Sequence, residues 1–506
     1  MEEESTPLLS NYSSDDVEPS KADILDDFIE EYIGGFRWSQ ALQVILISMA
    51  SFFEAQQTFI TIFADANPSW HYTQGTSNST ACNSGSNICK LPADSWQWDR
   101  PARTSIISDW SLLCTSNKIL AGLPASSFFM GCLLGGIILS FLGDSLGRKK
   151  LLILSCLTMS TASIFTAFSN NIWIYSGFRA VSGLGRAAIG SCVLVLTTES
   201  VGKQWRGKVG VVGFLCSTLG YMSLPAIAYM ARDYSWRSLY LLTSAPAIVY
   251  CMLIEFCVYE SPKWLLEQGR VREAVAVLNA NLDPNRKNLS FSADNIRQNT
   301  LNRPESTGGA PNPSLLKIMS DRSIIQQLTM AMLIGFGIGL IYYGTPLGLG
   351  SFDFSLYLSV AFSAMLEIPS AVLTFYLARC RRRTSLLALS TISGGCGIIC
   401  ILVKRWVWLQ IGLQLMSFFS ACAAFNLLMI YTVELFPTTI RNSAVSIVWQ
   451  AIVFGGAISP LVIAIGEGYS KILPHFLFGV MIFIFGPLVL FLKETVVCSR
   501  CVEDRV

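Results

Sequence analysis

Apolar residues along this chain gather into runs of about 20, separated by polar breaks, and that is the length at which a helix crosses the hydrocarbon core of a bilayer. Twelve runs stand out, at 38–63, 118–141, 151–168, 172–196, 209–230, 237–258, 325–346, 354–378, 385–403, 406–431, 442–465 and 472–492. The pattern predicts an all-α membrane protein of twelve transmembrane helices. It divides the chain into a polar tail (1–37), a six-helix half (38–258) with a long loop at 64–117, a second long loop (259–324), another six-helix half (325–492) and a short tail (493–506). The first apolar run follows 37 mostly polar residues, so no cleavable signal peptide is expected there.

Basic residues in the short loops set the expected orientation. The loop after the second span holds Arg148, Lys149 and Lys150; that after the fourth holds Lys203, Arg206 and Lys208; that after the eighth holds Arg379, Arg381, Arg382 and Arg383. The alternate loops are poorer in Lys and Arg, which predicts that both termini are cytoplasmic. Residues 64–117 then lie outside or in a lumen, with the sequon Asn78-Ser79-Thr80 as a glycosylation acceptor. Cys82, Cys89 and Cys114 in that loop suit one disulfide and one odd thiol, with the pairing open. In the second long loop, Ser261-Pro262 reads as a helix N-cap with Pro in the first turn, followed by a second helix near 270–280 and a polar linker near 283–314.

Composition agrees with the pattern. Of 506 residues, 52% are hydrophobic and 14% charged, against about 25% charged in ordinary globular chains. A net charge of +2 offers no basic excess for nucleic acid. Both histidines, His71 and His475, fall away from the span centres, and no ligand cluster for a metal is visible. No P-loop is present, so ATP hydrolysis by that route is not expected. Neither a cofactor nor an enzymatic activity is anticipated.

The halves repeat in register. At an offset of 235, Arg148 maps to Arg383, Glu199 to Glu434, Arg206 to Arg441 and Pro225 to Pro460. Such a parallel duplication places a substrate site near the midplane, between two halves that rock for alternating access.

Several motifs carry a family resemblance. Gly143-Asp144-Ser145-Leu146-Gly147-Arg148-Lys149-Lys150 resembles the loop signature of the major facilitator superfamily. Ser108-Asp109-Trp110-Ser111-Leu112-Leu113-Cys114, Glu260-Ser261-Pro262-Lys263-Trp264-Leu265-Leu266, Tyr342-Tyr343-Gly344, Glu367-Ile368-Pro369 and Glu434-Leu435-Phe436-Pro437-Thr438-Thr439-Ile440-Arg441-Asn442 together resemble organic cation and carnitine transporters, most like the plant branch. The resemblance implies the major facilitator fold and a secondary-active transporter for a small organic cation or a zwitterion such as carnitine. It also implies that Gly143, Asp144, Gly147, Arg148, Glu199, Arg206, Glu434 and Arg441 form conformational latches in the loops. The second latch departs from the first, because the offset puts Arg379 where Asp144 stands.

Charge inside a span costs about 2.5–3.5 kcal/mol on insertion scales, so it faces a cavity or a partner. Glu54, Arg186 and Glu367 are the deep ones. For Glu54 and Arg186 a structural ion pair and a binding role are both open. Arg179 and Glu255 lie nearer span ends and are expected to snorkel. Glu367 resembles the family's cavity glutamate. A carboxylate beside aromatic faces suits a quaternary ammonium, held by charge and cation–π contact. Tyr342, Tyr343, Gln57, Trp449 and Phe454 are candidates to complete the site. Val453 and Gly190 stand where animal relatives carry selectivity residues, which leaves the substrate less defined. A sugar or organic-anion porter, or a transport-inactive sensor of the same fold, are the rival readings. Protons or other coupling ions are candidate partners, with Glu54 the candidate proton carrier. An acidic dileucine pattern, Glu4-Ser5-Thr6-Pro7-Leu8-Leu9, tilts the expected location toward an endomembrane such as the vacuole over the plasma membrane.

Overall fold

The apolar runs form the helices α1 (Trp38–Phe59), α2 (Leu123–Leu146), α3 (Arg148–Ala167), α4 (Ile172–Glu199, turning at 187–188), α5 (Arg206–Met230) and α6 (Trp236–Cys257). The second half supplies α7 (Arg322–Gly348), α8 (Leu356–Leu377), α9 (Arg382–Ile399), α10 (Val407–Leu435), α11 (Thr438–Gly466) and α12 (Leu473–Phe485, extended as a 3-10 turn to Phe491). This is a computed structural model, and it describes residues 37–73, 91–92, 95–114, 118–281, 322–348, 355–379, 381–403, 406–436, 438–467 and 469–494. Asn78, Cys82, Cys89, the dileucine pattern and the linker 283–314 lie outside the described residues.

Among the described residues, ten of the twelve helices are long and apolar enough to cross a membrane; α2 is counted only over its apolar stretch Leu123–Leu139, and α9 falls short. In α9 the two leading arginines and a series of serines dilute the apolar character. The span expected from 118 starts as a helix only at Leu123, with Pro124 in its first turn, because residues 118–121 form a tighter 3-10 turn. It runs on to Leu146 and stops at Gly147, whose φ of 94° is a conformation that L side chains rarely adopt. A Cβ on Gly147 would also stand 2.6 Å from a Glu260 carboxylate oxygen.

Small residues let helices approach closely in the absence of any hydrophobic drive between them. Gly183 of α4 meets the backbone of α2 so tightly that a Cβ there would lie 1.8 Å from the Phe128 carbonyl. Within the first half, α1 packs on α5 and α2 on α4; within the second, α7 packs on α11 and α9 on α10. The halves meet where α2 lies against α11 and α5 against α8. The duplication shows in the helix positions. Pro225 and Pro460 lie inside α5 and α11, and Glu199 and Glu434 lie at the ends of α4 and α10. Register is lost only between α1 and α7. α1 ends 64 residues before α2 begins (Phe59 to Leu123), whereas α7 ends eight residues before α8 begins (Gly348 to Leu356).

That long first connection folds partly as a strand pair, an addition to the all-α expectation. β1 (Trp70–Tyr72) runs antiparallel to β2 (Trp96–Trp98), with Trp70 opposite Trp98. Beyond it, Asp109 accepts hydrogen bonds from Trp236 Nε1 (3.1 Å) and Arg237 Nη1 (3.0 Å), tying the loop to the start of α6. Cys114 is disulfide-bonded, and the other described cysteines are free. At the opposite end, Ser261 caps the helix Pro262–Glu267 by accepting from Trp264 N, and Val271–Asn281 follows, both close to the sequence expectation. The strand pair marks the hairpin end of the bundle, and these two helices mark the loop-helix end.

Candidate functional site

Glu367 sits midway along α8, at the seam with α5, and is 5% exposed. Its two oxygens accept from Tyr342 OH of α7 and Thr218 Oγ1 of α5, each at 3.0 Å. Among the described residues these hydroxyls are its only side-chain partners, so the carboxylate is hydrogen-bonded but meets no cationic side chain. The Thr218 bond joins α5 of the first half to α8 of the second.

An aromatic group adjoins this carboxylate. Tyr342 stacks on Phe425 (5.2 Å between centroids) and Phe418 (5.8 Å), and meets Tyr343 edge-on at 4.9 Å. Phe425 in turn meets Trp449 at 5.6 Å. Tyr343 bridges the halves, with Phe129 of α2 at 4.6 Å and Phe59 of α1 at 6.5 Å. Phe59 stacks on Tyr221 at 4.1 Å. Phe454 does not join them. It is 44% exposed and packs on Phe336, on the outer side of α11.

Glu54 and Arg186 form the second polar centre. Arg186 Nη2 lies 3.1 Å from Glu54 Oε1, with the two side chains 9% and 13% exposed. Arg186 also reaches the Cys132 sulfur at 3.8 Å. Space remains beside this pair, since a Cβ built on Gly190 would meet only Glu54 Oε2, at 3.8 Å.

Gln57 faces elsewhere. Its amide nitrogen donates to Thr243 and Ser244 (3.0 and 3.1 Å) and its amide oxygen accepts from Ser163 (2.8 Å), all inside the first half. Both donors and an acceptor lone pair are thereby engaged. The expectation that Arg179 snorkels is overturned. It is fully buried, lies over the Phe128 ring at 4.2 Å, and donates from Nη2 to the Gln57 carbonyl at 3.0 Å. α4 begins at Ile172, which sets Arg179 two turns inside the helix, too deep for its side chain to reach the surface.

The loop residues are tied differently in each half. At the loop-helix end of the first half, Glu260 accepts from the Lys149 and Ser261 backbone (2.9 and 3.0 Å), and Glu199 accepts from Ser261 Oγ at 2.5 Å. Arg148 opens α3 and Arg206 opens α5; Gly143 and Asp144 lie in the last turn of α2. In the second half, Glu434 takes a bidentate pair from Arg382 (2.8 and 3.1 Å), one residue from the Arg383 that the offset picks out, while Arg441 Nε donates to the Phe436 carbonyl at 3.4 Å.

Two six-helix halves with a polar site at their seam define a membrane transporter of the major facilitator class. The chain matches the sugar (and other) transporter family over residues 44–499, and it belongs to that family. Within it, the chain is of the plant organic cation/carnitine type. It is 45% identical to organic cation/carnitine transporter 3 of Arabidopsis thaliana over 100% of this chain and 98% of that one. It is also 44% identical to organic cation/carnitine transporter 2 of the same plant, over 98% and 95%. The human organic cation/carnitine transporter 2 is 28% identical, over 79% of this chain and 72% of that one. Among solved structures, the inward open conformation of the xylose transporter XylE from E. coli aligns with a TM-score of 0.62 at 15% identity, over 90% and 97%. A D-xylose-proton symporter aligns at 0.58 and 14% identity, over 90% and 95%. These last two show the fold alone.

Proposed function

We propose that this multi-pass transporter moves small organic cations, or zwitterions bearing a quaternary ammonium such as carnitine, by alternating access. The observation that carries the reading is Glu367: a buried carboxylate at the seam of the halves, held by two neutral hydroxyls beside an aromatic group. A quaternary ammonium cannot donate an N–H bond, so it is recognised by charge and by aromatic faces. In this reading Glu367 supplies the charge; Tyr342, Tyr343 and Trp449 supply the faces. The Arg186–Glu54 pair, with the space beside Gly190, receives the carboxylate of a zwitterion. Gln57 holds the first half together behind them. The names of the Arabidopsis relatives support this substrate class.

Rocking about the seam would open the hairpin end and the loop-helix end in turn. The loop contacts of Gly147, Glu199 and Glu260, and the Arg382–Glu434 pair, would stiffen each half as a rigid body. The basic loops favour an orientation with the loop-helix end and both termini in the cytoplasm and the hairpin end, with Asn78, outside or in a lumen. The acidic dileucine pattern favours an endomembrane such as the vacuole.

The test is counterflow in proteoliposomes. Vesicles preloaded with carnitine or tetraethylammonium should take up the labelled compound. Unlabelled choline should compete, and xylose or an organic anion should not. Competition by xylose, with none by choline, would reject the cation reading in favour of a sugar porter.

A further inference from the structure

A third polar centre lies toward the hairpin end, away from Glu367 and from the Glu54–Arg186 pair. α1 breaks at Ile60, and a short helical turn, Thr61–Ala64, continues to Asp65. Arg179 caps the break by donating to the Gln57 carbonyl. Asp65 Oδ1 accepts from Tyr175 OH at 2.7 Å, and Tyr175 OH lies 2.7 Å from Tyr240 OH. The Arg179 guanidinium stands 5.8 Å from the Tyr240 ring centroid. Its Nε and Nη1 are buried and meet no hydrogen-bond partner among the described residues, as is also true of Asp65 Oδ2. A carboxyl, two phenols and a guanidinium thus run in sequence from the hairpin end into the first half.

Asp65 also lines a cleft between the halves. Thr61, Asn67 and Ala125 face it from the first half, and Leu347, Pro460 and Glu467 from the second. The cleft is bridged by Asn67 Nδ2, which donates to Glu467 Oε2 at 2.9 Å. Rocking that separates the halves at this end must break the bridge and admit water to Asp65. The hydration of the carboxyl, and with it its proton affinity, therefore depends on the conformational state.

We propose that Asp65 is the proton-binding site that couples this transporter to a pH gradient, with Tyr175 and Tyr240 as its hydrogen-bonded relay and Arg179 as its counter-charge. The step is a simple protonation: a proton from the hairpin-side solution adds to the carboxylate, giving a neutral carboxyl. Arg179 then loses the nearby negative charge that balances it, which alters the tie across the α1 break and the segment carrying Asn67. Burial holds the Asp65 carboxyl up at about 7, against the lowering effects of the Tyr175 bond and the Arg179 charge. Among the described residues, the charged and titratable groups that face it are Tyr175 and Arg179 of α4, Tyr240 of α6, and Glu467 after α11, with Asp109 of the first long loop occupied by Arg237. Glu54 is held in an ion pair with Arg186, which leaves Asp65 the stronger candidate for the coupling role. The inference rests on the transport reading above.

Two measurements test it. In proteoliposomes at clamped voltage, a gradient of one pH unit should change tetraethylammonium or carnitine accumulation by up to about tenfold for one coupled proton. Asp65→Asn should abolish that response while leaving counterflow within about twofold of the unaltered protein. Tyr175→Phe, which removes a hydrogen bond to the ionised form, should move the pH midpoint of uptake upward. Infrared difference spectra of the purified protein between pH 5 and 9 should show a carboxyl band titrating near neutrality, part of which is missing in Asp65→Asn but not in Glu367→Gln. Intact counterflow with a pH response that survives Asp65→Asn, or a spectrum without that part of the band, would overturn the proposal alone. Absence of counterflow for both compounds would instead overturn the transport reading on which it stands.

Discussion

Glu54 and Glu367 are both carboxylates held inside the helical bundle, yet they are held in opposite ways. Glu54, on α1 of the first half, is matched by Arg186 at 3.1 Å, so the pair is neutral by itself. Glu367, on α8 of the second half, receives two hydroxyls and no cation among the described residues. A buried ion pair repays its desolvation only while both partners remain. A lone buried carboxylate is costly, and it is tolerated where a ligand brings the missing charge. The first half therefore carries an internal charge balance, and the second half carries an uncompensated carboxylate, where the proposed organic cation would bind.

The sharpest way to break this contrast is to unbalance the pair. Arg186→Met leaves Glu54 buried without its partner and should cost about 3–5 kcal/mol, seen as a large fall in the thermal midpoint of the purified protein. The double change Glu54→Gln with Arg186→Met removes both charges and should recover most of that loss. If Arg186→Met melts like the unaltered protein, the pair is not what holds these groups in place.

Glu367→Gln should behave in the reverse sense. The amide can still accept from Tyr342 and interact with Thr218, so the melting midpoint should stay nearly unchanged. Loss of the charge facing the substrate should cost about 1–4 kcal/mol, the attraction of two unit charges about 4 Å apart from full to partial screening by water, a rise of roughly 5- to 900-fold in the half-saturation concentration for tetraethylammonium. A Glu367→Gln protein that takes up tetraethylammonium and carnitine like the original would refute the role given to this carboxylate.

What the sequence made legible follows from chemical contrast. A Glu or an Arg in a run of apolar residues is conspicuous, so Glu54, Arg186 and Glu367 could be singled out without coordinates. Thr218 could not be, because a threonine in a span is ordinary, and only the seam of α5 with α8 brings it to Glu367. Phe418 and Phe425 were equally hidden among the chain's 30 phenylalanines, none marked by spacing as a wall of the site. Depth was harder to read than identity. Arg179 looked near a span end but lies deep within the first half, while Phe454 looked suited to the site but faces outward. The 235-residue register located the repeated loops, yet the ion pair in the second half formed at Arg382, one residue from the equivalent position. Periodicity fixes which elements repeat; side-chain packing decides which neighbour makes the bond.

The smallest effect tests how far the site around Glu367 extends. Trp449 does not touch Glu367 directly; it meets Phe425, which stacks on Tyr342. If it forms part of the wall facing a quaternary ammonium, its indole contributes a cation–π attraction of about 0.5–1 kcal/mol, and more if the site is dry. Trp449→Leu keeps an apolar side chain there and should weaken tetraethylammonium half-saturation by roughly 2- to 5-fold, a change of the size that this attraction gives. Protein stability should move little, because Trp449 is only partly buried. The comparison that discriminates is with a primary ammonium of similar size, which can also donate N–H bonds to Glu367 and so relies less on aromatic faces. Trp449→Leu should weaken the quaternary ion more than the primary one. Equal weakening of both would mean that Trp449 only supports Phe425, and the aromatic contribution would then end at Tyr342 and Tyr343.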